Sequence, residues 1–172
     1  IKEFKKYLNL QKQDNFLEDK LIKLNSNFII KESIDDKFNI KKFNIRSDLN
    51  LDNLNVNYKS NFIKKYLTNF DNKITIKNPQ ILFEYSNDII NLQLNGKYLL
   101  KDKEDNFFIK YKGNENNFEL YSLLDLDNSD LKIDEIEYLK KKNIPSKLEI
   151  LFNKSINGIN LEKISFTENK NY

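Results

Sequence analysis

The chain has 172 residues, with 29 Lys and Arg against 26 Asp and Glu, only three glycines, and no Cys, His or Met. That length suits a single domain burying about 70% of its unfolded surface. The missing Cys excludes disulfides and thiolate chemistry, and the missing His excludes imidazole bases and ligands. The net charge of +3 is spread among interspersed signs, and the longest basic run is Lys140 to Lys142. Nucleic-acid binding, which needs a basic patch or stripe, is therefore not expected.

Ala is absent, Arg46 is the only arginine, and Ile, Phe and Tyr are plentiful, which favours strand over helix. At the N-terminus "IKEFKKYLNL" predicts a helical lead-in over residues 1–19, with Ile1, Phe4 and Leu8 on one side. Residues 14–30 fit either a helix begun by Asp14 or a strand alternating through Ile22, Leu24, Ser26, Phe28 and Ile30; strand is preferred from about residue 20. No segment approaches the roughly 20 apolar residues that span a bilayer, and no apolar core of a signal peptide is present. The sequence begins without Met, so the chain is expected to be a fragment of a longer one, with any membrane anchor outside it.

A repeated figure follows. "FNIKKFNI" (38–45), "LNLDNLNV" (49–56), "LKIDEIEY" (131–138) and "INLEKISF" (159–166) each read apolar, polar, apolar, polar, polar, apolar, polar, apolar; "ITIKNPQI" (74–81) is a looser copy with Pro79 in the third apolar place. Chance predicts roughly half of one strict match at this composition. The figure is no helix, since at about 100° per residue its apolar positions scatter around the wheel. A plain strand splits the two apolar pairs between opposite faces. One extra residue as a β-bulge returns the second pair to the first face and bends the strand; alternatively the strand runs straight and changes its buried face.

Between these copies "SNFIKKYLTNF" predicts a short helix over 60–70, with Ser60 as N-cap and Phe62, Ile63, Tyr66, Leu67 and Phe70 as its core stripe. From residue 73 to 166 strands alternate with short polar turns, predicting an antiparallel meander. Gly96 keeps phase within "IINLQLNGKYLL", so one long strand is expected there rather than a hairpin. Ile81, Phe83, Tyr85; Ile90, Leu92, Leu94, Tyr98; Phe107, Ile109, Tyr111; Phe118, Leu120; and Leu148, Ile150, Phe152 form one-sided apolar runs, the pattern of a sheet with one wet face. The expected fold is mainly β: a single long, curved antiparallel sheet with one or two short helices near the N-terminal half.

No catalytic residues, metal site or cofactor are expected. The glycines are too scattered for a phosphate-cradling loop. Asp125, Asp127, Asp130, Asp134, Glu135 and Glu137 form an acidic neighbourhood, but "DLDNSD" lacks the Gly and distal Glu of a calcium loop and reads as a solvated turn.

The phrase "LNLDNLNV" followed by "NYKSNFIKKYL", the Asn-Pro strand "ITIKNPQILFEY", "IINLQLNGKYLL" with its inner Gly and the terminal "INGINLEKISF" resemble the AsmA/TamB superfamily of bacterial envelope proteins, related in architecture to bridge-like lipid-transfer proteins. The similarity covers residues 38–166. It implies a β-groove or half-barrel, apolar inside, that conducts phospholipid or other acyl-chain lipids between inner and outer membranes, with an outer-membrane barrel protein as a further partner and a periplasmic location. The fifteen residues of the one-sided runs would line the groove. The alternative is a closed β-sandwich, in which the same residues are core of a structural or protein-interaction domain.

Overall fold

In the computed structural model the described residues are 23–68, 70–100 and 103–169, so the lead-in expected over 1–19 lies outside them. The strands are β1 (Leu24–Ile34), β2 (Ile40–Leu51), β3 (Leu54–Asn57), β4 (Lys73–Ser86), β5 (Ile89–Leu99), β6 (Glu104–Gly113), β7 (Phe118–Asp125), β8 (Leu131–Ile133), β9 (Tyr138–Lys140), β10 (Ser146–Ser155) and β11 (Gly158–Glu168). A helix, α1 (Asn61–Tyr66), lies between β3 and β4. The main sheet has the order β1-β2-β4-β5-β6-β7-β10-β11, with β3 beside β4 as a continuation of β2. Every pairing is antiparallel, and the sheet is not closed into a barrel.

The skipped beat of the repeated figure takes three forms. In β2, Ile40 pairs with Ile34 but Lys42 with Ser33, which leaves Lys41 as an extra residue. In β11, Leu161 pairs with Phe152 and Lys163 with Leu151, leaving Glu162 extra. In β4, Lys77 and Gln80 face Lys97 and Asn95, so the Asn78-Pro79 pair opposes Gly96 alone. These are β-bulges, and each returns the following apolar pair to the face of the preceding one. Asn78 adopts φ 45°, and a Cβ on Gly96 would lie only 3.2 Å from both Lys77 O and Pro79 Cα, so glycine accommodates the close approach. In the copy at 49–56 the ladder breaks at Asp52 and Asn53, and Leu54 and Val56 resume opposite Ile76 and Ile74.

The copy at 131–138 contradicts the expected long β-segment. Leu131 pairs with Lys140 and Ile133 with Tyr138, so the skipped beat is a hairpin turn: Asp134–Ile136 form one 3-10 turn and Glu137 adopts φ 52°. A four-residue turn reverses the chain and leaves the same apolar spacing that a bulge does.

Ser60 caps α1 by accepting a hydrogen bond from Ile63 N at 3.1 Å. The helix is shorter than the expected 60–70 span, because Leu67 takes extended backbone and forms a bridge to Leu131. Its stripe still reaches the core: Ile63, Leu67 and Phe70 pack with Tyr98, Leu100 and Phe107. Gly96 does sit inside a single strand, β5.

All turns between β1 and β2, β4 and β5, β6 and β7, and β10 and β11 lie at one end of the sheet by topology. The segment 58–72 with α1, and the β8–β9 hairpin, lie at the other end. There the hairpin docks through the Leu67–Leu131 bridge, an ion pair between Lys65 and Glu135, and the Tyr138 ring against Phe166 with centroids 5.8 Å apart. The core is therefore concentrated under this plugged end.

Candidate apolar face

Directly opposed residues of antiparallel strands share a face. Tyr85, Phe83 and Ile81 oppose Ile90, Leu92 and Leu94. Leu92 and Leu94 oppose Tyr111 and Ile109, and Gly96 opposes Phe107. Tyr111 opposes Leu120, and Gly113 opposes Phe118. Leu120 and Leu124 oppose Phe152 and Leu148, with Ile150 between them. Tyr98 stays in phase along β5, and the β4 bulge brings its partner Ile76 to the same side. All fifteen residues of the one-sided runs thus share one face.

Their burial divides that face. Tyr98 and Phe107 are buried at the plugged end, while the other thirteen are half-buried. Leu94 and Ile109 still touch the core cluster. The upper half, from Phe83 and Leu92 to Leu120 and Phe152, has no covering element among the described residues, where the only other sheet is the two-stranded β8–β9 pair. Ring pairs pave it: Phe43 with Tyr85 at 6.3 Å between centroids, and Tyr111 with Phe118 at 5.2 Å.

The outermost strands extend this face beyond the fifteen residues expected from the sequence. Phe28 and Ile30 of β1 oppose Ser47 and Ile45 of β2, which oppose Phe83 and Tyr85. Ile164 and Phe166 of β11 oppose Ile150 and Leu148, and the Glu162 bulge keeps Leu161 on the same side. The alternation of Phe28 and Ile30 and the skipped beat of 159–166 are both legible in the sequence, but which face each strand adds to follows only from its register with β2 or β10.

The opposite face is not uniformly wet. Phe108, Tyr121, Leu123 and Leu151 meet there across β6, β7 and β10, with the Phe108 and Tyr121 rings 6.1 Å apart. That face also holds a polar depression of about 440 Å³ at the β4 bulge, lined in part by Lys77, Asn95, Lys97 and Glu104. Glu104 accepts hydrogen bonds from Lys77 Nζ at 2.6 Å and Lys97 Nζ at 3.0 Å, which hold its carboxyl below the ordinary glutamate range. A depressed carboxylate stabilises the fold above its unfolded pKa and loses that contribution as pH falls through the folded value. The melting-temperature gap between the wild type and Glu104→Gln is thus expected near neutrality and to close below about pH 4. A gap unchanged by acidification would show that Glu104 contributes through packing alone.

The acidic neighbourhood disperses into turns. Asp127 accepts from Ser146 N at 2.8 Å, Asp130 accepts from Lys142 N at 2.9 Å, Asp125 accepts from Asn106 at 2.8 Å, Asp134 pairs with Lys132, and Glu135 with Lys65. No group of three metal-ligating side chains converges among the described residues. No helix among them is long and apolar enough to cross a membrane.

The fold and this face define a mainly β protein built on one open antiparallel sheet. No protein-family model, curated protein or solved structure matches the chain.

Proposed function

We propose that the chain is a section of a hydrophobic β-groove that binds the acyl chains of phospholipids and conducts them between inner and outer membranes. The observation that carries this reading is the upper half of the apolar face, continuous across the strands and uncovered among the described residues. The periplasmic setting, and an outer-membrane barrel as a second partner, rest on the resemblance to AsmA/TamB proteins. Binding and passage need apolar surface only, and no catalytic group enters.

The energetics suit such a role. Each methylene moved from water contributes about 0.8 kcal/mol, so ten contribute about 8 kcal/mol before ordering costs. Eight strands about 4.8 Å apart make a face of order 35 Å wide, comparable with a phospholipid's length. Because α1 and the β8–β9 hairpin cover the lower end, the open passage runs across the strands, from β1 toward β11.

Native mass spectrometry and solvent extraction of protein purified without detergent test the reading. Stoichiometric phospholipid is expected, lost in Leu92→Asp/Leu120→Asp and kept in Gln93→Asp on the opposite face. Leu94 is avoided because it packs on the core. A folded, lipid-free protein that also refuses added fluorescent phospholipid would leave the face to a protein partner, as in a structural or interaction domain of an envelope assembly factor.

A further inference from the structure

We propose that the sheet joins head-to-tail to a second copy of this chain, with β11 of one copy pairing antiparallel to β1 of the next. Both outer edges are open among the described residues: β1 pairs with β2 alone and β11 with β10 alone. Each edge strand is 11 residues long, so a full junction could form about ten backbone hydrogen bonds.

Strand direction makes the two edges complementary. The path from β1 to β11 contains eight strands, all paired antiparallel, so its first and last strands run in opposite directions. A copy placed beside β11 in the same orientation therefore presents its β1 antiparallel, and its apolar face continues the apolar face of the first. An odd number of strands would have produced a parallel junction.

The side chains favour the same partner. Phe28 and Ile30 on β1 are 62% and 58% exposed, and Leu161 and Ile164 on β11 are 53% and 65% exposed, while their counterparts on inner strands are half-buried. Pairing would move these edge residues into inner-strand surroundings. Neither strand contains Pro, a common guard of exposed edges, although β11 carries the bulge at Glu162. Lys31 and Glu32 on β1, and Glu162, Lys163 and Glu168 on β11, give each edge charges of both signs, so neither edge presents a block of one sign to the other. A two-fold β1–β1 dimer would satisfy one edge and leave β11 open; head-to-tail joining uses both kinds. The inference stands whether or not the face carries lipid.

Sedimentation velocity over a range of concentrations, with far-UV circular dichroism to establish folding, tests it. The wild type is expected to form dimers and longer species with increasing concentration. Phe28→Lys/Ile30→Lys blocks β1, and Leu161→Lys/Ile164→Lys blocks β11; all four positions are exposed in the single chain, so both variants should fold. Each is expected to be monomeric alone, and an equimolar mixture should give a dimer and nothing longer. A wild type that stays monomeric throughout, or a single-edge variant that still self-associates, would overturn the proposal.

Discussion

Phe107→Ala is expected to lower folding stability by about 3–5 kcal/mol, while Phe152→Ala on the same face costs about 1–1.5 kcal/mol. Phe107 is 7% exposed, packs with Phe70, Tyr98 and Leu100, and meets the Tyr98 ring edge-on with centroids 6.4 Å apart. Removing it loses the transfer free energy of a full ring and leaves a cavity walled by the β4 bulge, which cannot readily collapse. Phe152 is half-buried between Leu120 and Leu161, so part of its surface already meets solvent and no closed cavity follows. Urea unfolding checks both, as midpoint shifts at an unchanged denaturant slope. Equal losses would mean that the upper face is packed as a core, which would remove the principal support for a ligand-binding groove.

That division between a plugged end and an open end was only partly legible in the sequence. The strands from β4 to β7 and β10 follow from period-2 alternation, and Ser60 announced α1. The repeated figure indicated an extra residue, and three bulges lie at its skipped beat. At 131–140 it failed, because a four-residue turn and a bulge leave the same spacing of apolar residues. The turn lacks a glycine to announce it, and Glu137 takes the left-handed conformation instead. The expectation of one wet face takes no account of Phe108, Tyr121 and Leu123, which alternation sends to the opposite face from Leu120. The run Lys140 to Lys142 weighs in the sequence only against nucleic-acid binding, and nothing in it separates the exposed Lys141 and Lys142 from Lys140, which is buried. Periodicity identifies a side chain's face; it does not reveal which loop folds over it.

Lys140 carries the other large expected effect. It is fully buried, and its Nζ donates to the carbonyls of Leu126 at 2.5 Å and Ser129 at 2.8 Å, with that of Asp127 at 3.5 Å. Burial pushes its ammonium below the ordinary lysine range, while the nearby carboxylates of Asp105 and Asp127 oppose that shift. The ammonium thus gathers the carbonyls of the turn leaving β7 and ties them to β9, which sets the β8–β9 hairpin against the end of the sheet. Lys140→Met keeps most of the volume but leaves buried carbonyls short of a donor and Asp105 without its nearby cation, so a loss of about 3–5 kcal/mol is expected. Lys141→Met, one residue away and exposed, should change stability by no more than about 0.5 kcal/mol. If Lys140→Met proved equally silent in urea unfolding, the ammonium would not be holding the turn, and the hairpin would have to depend on its contacts with Leu67 and Phe166 and the Lys65–Glu135 ion pair.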